Sequence, residues 1–416
     1  MTEDSHRTAG ASYAAAGVDI AAGDRAVELF APLAKKASRP EVMGGLGGFA
    51  GLFSLKGDYK EPLLAASTDG VGTKLAVAQA MDKHDTVGLD LVAMVVDDLV
   101  VCGAEPLFLQ DYIAVGRVIP ERVAELVSGI AEGCIQAGCA LLGGETAEHP
   151  GIMADGDYDL SATGVGVVEA EKLLGPDRVR PGDVVIAMGS SGLHSNGYSL
   201  ARKVLLEIDR MNLSAHVDEF GRTLGEELLE PTKIYAKDCL ALAAETDVRT
   251  FCHVTGGGLA NNLARVMPKG LVAELDRGTW SPAPVFAMIA QRGRVERAEM
   301  EQTFNMGVGM VAVVAPEDVD RALAVLTARH IDCWTLGSVK KRRTPLQSVR
   351  SWPETTRASR PQRQLPHRRD PVGQFCVSVQ AGAGQKMERK NEEERSALPH
   401  FTVCAVAVRG QRRQSS

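Results

Sequence analysis

The sequence predicts an α/β protein, built from α+β layers in two domains and followed by a basic tail. Apolar runs of strand length alternate with segments of helical period over most of the chain. A chain of 416 residues is too long for one ordinary hydrophobic core. Its hydrophobic content of 45% is enough to form the cores of more than one domain. Turn chemistry at Leu174-Gly175-Pro176 marks a boundary, so we expect domains at 1–174 and 175–340 and a tail at 341–416.

In the first half, the pattern predicts about four strands. Pro120 stands at the favoured first position of a strongly amphipathic helix, whereas Pro32 weakens an earlier one. Four strands leave open sheet edges, and pairing in a dimer would remove that liability. The predicted elements are a helix at 19–36, a strand at 63–66, an acidic helix within 85–103, a strand at 106–115, a helix from 120, and strands at 139–142 and 159–168.

The second half repeats the alternation after the turn residues at 180–183. Gly256-Gly257-Gly258 precedes one of its helices, and a helix N-terminus with exposed backbone N–H groups is an anion site; a plain tight turn is the alternative. The predicted elements are strands at 184–188, 248–253, 271–275, 307–314 and 333–336, and helices at 196–208, after 258, at 284–291 and at 317–329.

The segment 67–75, Ser-Thr-Asp-Gly-Val-Gly-Thr-Lys-Leu, is the strongest local signal for a ligand. Gly70 and Gly72 remove the Cβ atoms that would keep a ligand from backbone N–H groups. Asp69 offers oxygen to a hard cation, and Thr73 and Lys74 offer donors to phosphate. No Gly-x-x-x-x-Gly-Lys-[Ser/Thr] occurs in the chain, so this is not a P-loop. A glycine-rich turn without a ligand is the alternative.

An acidic helix follows that turn. Val92, Val95, Val96 and Leu99 form one apolar stripe, and the carboxylates at 90, 97 and 98 fall on the other side, the first two about 20° apart. Clustered carboxylates repel one another unless a cation lies between them, so Mg²⁺ on Asp69 and Asp98 is the functional interpretation. A solvated acidic face is the alternative.

Two other features of the sequence are candidates for ligand contact. The run 44–49 contains Gly45, Gly47 and Gly48; no strand precedes it, so we reject a dinucleotide fingerprint and expect a flexible loop over a nucleotide, with a structural turn as the alternative. His194 and His253 each lie beside a Ser- or Gly-rich turn at a strand end, where α/β proteins gather ligands; a hydrogen-bonded structural histidine is the alternative.

Composition restricts the class of partner. No run of 18 apolar residues and no signal peptide occurs, and eight cysteines show no C-x-x-C pair, so we expect reduced thiols, a cytoplasmic location and no membrane.

From residue 341 onward there are 16 Lys and Arg against 6 Asp and Glu, a net charge of +10. This leaves 30 Lys and Arg against 47 Asp and Glu, a net charge of −17, in residues 1–340. The net negative charge of residues 1–340 argues against nucleic acid as the partner of this part of the chain.

Separated motifs in a fixed order then point to a known family. Besides segment 67–75 they include Gly103-Ala104-Glu105-Pro106 within 92–112, Gly143-Gly144-Glu145-Thr146 within 138–151, and His194-Ser195-Asn196-Gly197-Tyr198, with further segments at 42–49, 253–259 and 304–309. From about residue 13 to residue 339 the chain closely resembles phosphoribosylformylglycinamidine cyclo-ligase, also called aminoimidazole ribonucleotide synthetase. One departure is visible, because Asp97-Asp98 stands where the family pattern has Asn-Asp.

The resemblance implies a homodimer whose N-terminal domains close a central β-barrel, and a C-terminal α/β domain that binds substrate. It implies conversion of formylglycinamidine ribonucleotide and ATP into aminoimidazole ribonucleotide, ADP and phosphate in purine biosynthesis. The candidate catalytic residues are Lys74, Glu145, His194 and His253. The candidate nucleotide contacts are Gly45, Gly47, Gly48, Asp69, Gly70, Gly72, Thr73, Asp97, Gly143 and Gly144, with Mg²⁺ on Asp69 and Asp98.

Two rival functions stay open at this point, and the tail has three competing explanations. A selenophosphate synthetase or thiamine-phosphate kinase of the same superfamily would use a similar ATP loop, although the first Cys, Cys102, is far from the N-terminus where the selenium enzyme needs one. A non-catalytic binding protein would explain the change at Asp97. The Arg-, Pro- and Gln-rich tail predicts disorder except for strands near 375–379 and 401–408, and it represents a nucleic-acid-binding arm, a partner-docking arm or, as the abrupt break favours, a wrong-frame extension.

Overall fold

The computed structural model describes residues 13–44, 50–57, 59–342 and 377–378, all within one compact unit that spans residues 1–381. The strands are β1 Val42–Met43, β2 Leu52–Phe53, β3 Pro62–Gly70, β4 Glu105–Val115, β5 Ala140–Glu148, β6 Tyr158–Glu169, β7 Val184–Gly189, β8 His216–Val217, β9 Arg222–Thr223, β10 Val248–His253, β11 Leu271–Leu275, β12 Val308–Val314, β13 Cys333–Lys341 and β14 Val377–Ser378. The helices are α1 Ile20–Lys36, α2 Leu75–Met81, α3 Val87–Val100, α4 Pro120–Ala137, α5 Tyr198–Arg202, α6 Leu224–Leu228, α7 Ala236–Glu245, α8 Gly258–Arg265, α9 Pro284–Gly293, α10 Arg297–Thr303 and α11 Val319–Ala328.

The first half is a four-stranded sheet in the order β3-β6-β4-β5, with α3 and α4 beside it. Strand β6 runs antiparallel to both of its neighbours, β3 and β4. Strands β4 and β5 run parallel to each other because the helix α4 connects them. Gly164 of β6 lets α3 pack closely on the sheet, since a Cβ there would lie 2.5 Å from Cγ1 of Val95.

The second half is a six-stranded sheet in the order β10-β12-β7-β13-β11-β14, and every pairing in it is antiparallel. The strand β12 is buried along its whole length, which agrees with its continuous apolar sequence. Its neighbour β10 ends at His253, so this sheet carries a candidate site residue to its edge.

The helix α3 is buried on nearly every side, because the sheet and α4 cover part of it and the second half covers the rest. Only Leu89 and Asp98 of this helix are not buried. The glycines Gly88 and Gly129 let α3 and α4 touch through their backbones, since a Cβ on Gly88 would lie 2.3 Å from the amide nitrogen of Ile130. The alternative of a solvated acidic face therefore does not hold for Asp90 and Asp97, because a second protein layer covers α3 on that side.

The element pattern agrees with the α/β prediction and differs from it locally. The strands β3 and β5 continue through the glycines that the sequence placed in turns, so Asp69, Gly143 and Gly144 are strand residues. The helix predicted at 196–208 is divided into α5 and a π-helix at Lys203–Ile208. Helices α6, α7 and α10 were not predicted. In the tail, β14 falls inside the expected strand near 375–379, and the rest of the tail beyond Arg342 lies outside the described residues.

Within the described parts of the chain, no helix has the length and apolar character needed to cross a bilayer.

The close contact of α3 with α4 gives a stability prediction. Gly88→Ala should lower the thermal unfolding midpoint, at a cost of roughly 1–3 kcal/mol, because its methyl group meets backbone atoms that have no rotamer to change. Gly23→Ala in α1 is the matched control, since no atom lies within 4 Å of its Cβ position, and it should gain about 0.5–1 kcal/mol from helix propensity. Equal midpoints for the two variants in differential scanning calorimetry would contradict the assigned packing.

Candidate active site

The candidate site lies where the two halves of the compact unit meet. The first half contributes the end of β3, the turn after it and one side of α3. The second half contributes the loop around His194, the segment 230–235 and the end of β10. Most of the candidate residues from segment 67–75 and from the acidic helix therefore come together, although they are far apart in sequence.

Asp69 and Asp98 lie close to each other where the two halves meet. Asp69 is half-buried, and its Oδ1 accepts a hydrogen bond from the backbone N–H of Gly70 at 2.7 Å. Burial raises the pKa of Asp69, and the negative charge of Asp98 raises it further. Asp98 keeps 43% of its side chain exposed. Two neighbouring carboxylates, one of them open, form an arrangement that a cation stabilises.

His253 orients Asp98 by a direct hydrogen bond, since its Nδ1 lies 2.9 Å from Oδ1 of Asp98. Burial alone lowers the pKa of His253, but the hydrogen bond to Asp98 and the charges of Asp97, Asp98 and Asp69 outweigh it, so the pKa is raised. The other ring nitrogen, Nε2, is buried and has no partner among the described residues. In the neutral ring, with Nδ1 donating to Asp98, the lone pair lies on Nε2; in the protonated ring, Nε2 is a second donor.

Asp97 points into the interface between the halves and is fully buried. Its Oδ1 accepts a hydrogen bond from the backbone N–H of Tyr235 at 2.9 Å, and its Oδ2 has no partner within the described chain. Burial raises the pKa of Asp97 to about 7, although the positive charge of His253 opposes the shift. The side chain that departs from the family pattern thus joins the two halves.

Lys74 occupies a different position from the expected phosphate contact. Its side chain is fully buried, and its Nζ donates to Oδ1 of Asp90 at 2.8 Å, to the carbonyl of His194 at 3.3 Å and to the carbonyl of Glu230 at 2.6 Å. All the protons of an ammonium are used by these acceptors. The turn after β3 folds inward and carries Lys74 into the interface, where its ammonium is bound by protein acceptors and not open to a phosphate.

His194 adopts a left-handed backbone conformation, with φ of 62°, which is uncommon for a residue other than glycine. Its ring is buried beside Tyr235, and its Nε2 accepts a hydrogen bond from the backbone N–H of Ser191 at 3.2 Å. Burial and the positive charges of His253, Lys74 and Lys233 hold the pKa of His194 well below its usual range. The ring is therefore neutral, with its proton on Nδ1, and Nδ1 has no partner in the described part of the chain.

Gly143, Gly144 and Glu145 lie at the opposite edge of the sheet from Asp69. Gly70 of β3 pairs with Ser161, Ser161 with Tyr112, and Tyr112 with Glu145, so three strand spacings, roughly 14 Å, separate the two edges. One chain thus does not bring the Gly-Gly-Glu-Thr motif together with the Asp69–Asp98 pair.

Beside that motif the structure shows a carboxylate that sequence reasoning missed. Asp111 lies on β4 opposite Gly144, where a Cβ would lie 1.7 Å from Oδ1 of Asp111. Burial raises the pKa of Asp111 to about 7. A cavity of about 360 Å³ adjoins it and extends along β5 to α1; its walls include Gly143, Gly144, Glu145 and Thr146. The alternation of β4 identifies Asp111 as facing inward, but periodicity alone does not show that a cavity lies there.

Several other candidate residues have structural explanations or lie outside the described residues. Thr73 hydrogen-bonds Ser199 of the second half at 3.1 Å, and Gly72 adopts φ of 76°, which a glycine allows. Gly258 lets α8 approach α10, since a Cβ there would lie 1.9 Å from the carbonyl oxygen of Glu301. The candidate contacts Gly45, Gly47 and Gly48 fall in the stretch 45–49, outside the described residues.

Sequence reasoning also missed the segment 230–235, which completes the interface. Thr232 donates from its backbone N–H and its hydroxyl to Asp90, at 2.7 and 2.6 Å. Glu230 and Tyr235 take part through a backbone carbonyl and a backbone N–H, respectively. Apart from the hydroxyl of Thr232, these contacts are made by backbone groups, which leave no side-chain signature for a motif to show.

The donor set fits a magnesium ion with bound phosphates. Among the described residues no group of three or more His, Cys, Asp or Glu side chains is arranged as a complete metal site. Mg²⁺ typically takes one or two carboxylates and completes its octahedron with water and phosphate oxygens. The open carboxylate of Asp98 next to Asp69 meets that requirement.

Both halves of the chain match the models of one known protein family. A family model described as AIR synthase related protein, N-terminal domain, matches residues 50–168, and the corresponding C-terminal domain model matches residues 180–345. A phosphoribosylformylglycinamidine cyclo-ligase from Anaeromyxobacter dehalogenans strain 2CP-C is 55% identical over 331 residues, which are 79% of this chain and 95% of the relative. The enzyme of the same name from Myxococcus xanthus is 54% identical over 332 residues, 80% of this chain and 96% of the relative.

Solved structures show the same fold at lower identity. A thiamine-monophosphate kinase from Stenotrophomonas maltophilia superposes with a TM-score of 0.56 at 18% identity and covers 75% of this chain and 93% of its own. The hydrogenase maturation protein HypE in complex with ATP superposes with a TM-score of 0.55 at 20% identity, covering 77% and 86%. At these identities the likeness shows the fold alone, and it confirms the predicted fold class.

The burial of Asp97 gives a pH-dependent stability prediction. Its pKa is higher in the folded chain than the ordinary 3.8, so its ionisation costs stability as the pH rises from 3.8 to about 7. Asp97→Asn keeps an acceptor for Tyr235 and has no charge to bury. Relative to the native chain, its unfolding midpoint in chelator-containing buffer should therefore move upward by about 2–4 °C between pH 5 and pH 8.

The control for this prediction is Asp320→Asn, which changes an exposed carboxylate of α11. Its midpoint relative to the native chain should stay the same at both pH values. A relative midpoint for Asp97→Asn that falls as the pH rises would contradict the burial of an ionisable carboxyl at this position.

Proposed function

The chain belongs to the phosphoribosylformylglycinamidine cyclo-ligase family, ATP-dependent ligases of purine biosynthesis, and on that premise we propose that its chemistry takes place around Asp69, Asp98, His253 and His194. The reaction closes the imidazole ring of formylglycinamidine ribonucleotide and gives aminoimidazole ribonucleotide, ADP and phosphate. The observation that supports this location is the Asp69–Asp98 pair with His253 bound to Asp98.

The chemistry has two steps with different demands. The formamide oxygen is a poor leaving group, so it first attacks the γ-phosphorus of ATP, and ADP leaves. The amidine nitrogen then attacks the activated carbon, phosphate leaves, and a proton is lost as the ring forms. Phosphoryl transfer of this kind depends on positioning and on neutralisation of charge.

The carboxylates supply the cation site in this proposal. Asp69 and Asp98 hold Mg²⁺, which when bound neutralises the charge of the phosphates. His253 fixes the rotamer of Asp98 through the 2.9 Å hydrogen bond, as outer hydrogen bonds typically do for metal ligands. Backbone N–H groups of the turn after β3 offer further donors to phosphate oxygens.

The two histidines have different free atoms and therefore different proposed roles. His253 in its neutral form, with Nδ1 donating to Asp98, has its lone pair on Nε2 and is our candidate to take the proton lost on ring closure. His194 has a free Nδ1–H and is our candidate to donate a hydrogen bond to the substrate.

The cavity beside Asp111 is the second location in the proposal. There the nucleotide or the substrate amidine contacts Gly143, Gly144 and Glu145.

A homodimer is the second part of the proposal. The edge strand β3 has nine residues and only one neighbour, β6, among the described strands, and Leu64 is 66% exposed on it. A long, apolar, unpaired edge promotes aggregation unless another strand covers it. In our proposal, a second copy of the chain covers the β3 edge and so closes the sheet.

A cytoplasmic location, which the sequence predicts, stays part of the proposal.

Carboxamide variants test the cation site. Asp69→Asn and Asp98→Asn should each reduce turnover by roughly 10²–10³-fold, because they remove charge that stabilises the transferring phosphoryl group. The magnesium concentration for half-maximal activity should rise at the same time. Turnover is measured by ADP release with and without formylglycinamidine ribonucleotide.

Asp320→Asn again serves as the matched control and should keep native turnover. The unfolding midpoints of both site variants should stay near the native value, since neither carboxylate forms part of an apolar core. Near-native turnover in both site variants would refute the assignment of Asp69 and Asp98.

A charge on the β3 edge tests the dimer. Leu64→Glu should convert a dimer into a monomer at micromolar concentration in sedimentation velocity, because it places a charge in the proposed interface. Ile208→Glu is the control, since Ile208 is 59% exposed in the second half, and it should stay dimeric. A native chain that sediments as a fully active monomer would overturn the proposal.

A further inference from the structure

The buried Lys74 ammonium connects three separate segments at one point. Its Nζ donates to Asp90 of α3, to the carbonyl of His194 and to the carbonyl of Glu230, at 2.8, 3.3 and 2.6 Å. Neither Lys74 nor Asp90 has any solvent-exposed side-chain surface. One residue of the first half therefore fixes two loops of the second half.

The two loops are also fixed to each other around this point. The hydroxyl of Ser195 lies 3.0 Å from the hydroxyl of Thr232, and Ser191 donates to the carbonyl of Pro231 at 2.6 Å. Thr232 in turn donates twice to Asp90, through its N–H and its hydroxyl. The loop around His194 thus has a hydrogen-bonded support at its centre, and that support ends at the Lys74–Asp90 pair.

His194 needs such support because its backbone conformation is unfavourable. A φ of 62° in a residue with a Cβ persists only where the surroundings determine it. The ring fits closely as well, since a Cβ on Gly309 would lie 2.6 Å from Cε1 of His194. The bond from Lys74 to the His194 carbonyl acts directly on the strained residue.

We propose that Lys74 is a positioning residue, whose ammonium holds the backbone of His194 so that the free Nδ1–H of the ring keeps one orientation in the active site. This inference rests on the role proposed above for His194. Lys74 does not touch the nucleotide in this assignment, because Asp90 and the two carbonyls use all of its donors. Its charge serves to balance Asp90 and to bind those carbonyls.

The test separates positioning from charge balance. Lys74→Met alone leaves the Asp90 carboxylate buried without a cation, so it should destabilise the fold strongly. In the double variant Lys74→Met/Asp90→Asn no buried charge remains, and the amide oxygen still accepts from Thr232. The double variant should recover most of the lost unfolding midpoint, yet its kcat should stay roughly 10- to 100-fold below native, because His194 has lost its donor.

Two further readouts distinguish positioning from a general structural role. The long-range ¹⁵N spectrum of the histidine rings, with His194 assigned by its loss in His194→Gln, should change from one fixed tautomer to an averaged signal in the double variant. The dissociation constant for ATP should stay within about threefold of the native value. A fixed His194 signal with native kcat, or a fixed signal with ATP affinity lowered tenfold or more, would overturn the proposal.

Lys237→Met is the matched control, because Lys237 also donates to a carbonyl of the other half, that of Ile135 at 2.8 Å, but lies on the surface. It should keep native kcat and the native His194 signal. An averaged His194 signal with native kcat in the double variant would support positioning by Lys74 and would instead refute the catalytic role of His194. If the double variant does not fold, Lys74→Leu/Asp90→Asn, which also has no donor at position 74, is judged by the same criteria.

Discussion

The buried ion pair between Lys74 and Asp90 is the interaction on which the candidate site depends. A lone buried charge costs far more than a paired one, so each of these residues requires the other inside the protein. The pair alone does not satisfy Lys74, and the two loop carbonyls that complete its hydrogen bonds come from the second half. The need to satisfy one ammonium therefore fixes how the loop around His194 meets the first half.

The same principle applies along the rest of α3. Asp90, Asp97 and Asp98 face three different environments, namely the buried ammonium of Lys74, a backbone N–H of Tyr235 and the ring of His253. Only Asp98 keeps substantial exposure, so only it remains available to a ligand. A run of carboxylates on one side of a helix thus serves two purposes: the two buried residues join the halves, and the exposed one faces the site.

The separation of the sheet edges determines where the remaining motifs act. The sheet order places Asp69 on β3 and Glu145 on β5, with two strands between them. Residues that a motif search groups into one site are therefore divided between two locations, and the second is next to Asp111 and its cavity. Strand order depends on long-range pairing, which no local pattern contains.

The sequence by itself determined the family and the fold class, and it identified Asp69, Asp98, His194 and His253 as candidates, because motif spacing and hydrophobic periodicity are local properties. The tertiary structure decided the environment of each side chain. It buried Lys74 and Asp97, which the sequence had placed against ligand, and it brought in the backbone of segment 230–235, which has no motif. The physical reason is that burial is set by the layer packed on the other side of a helix, and α3 is amphipathic by its own sequence but covered by a domain encoded a hundred residues later.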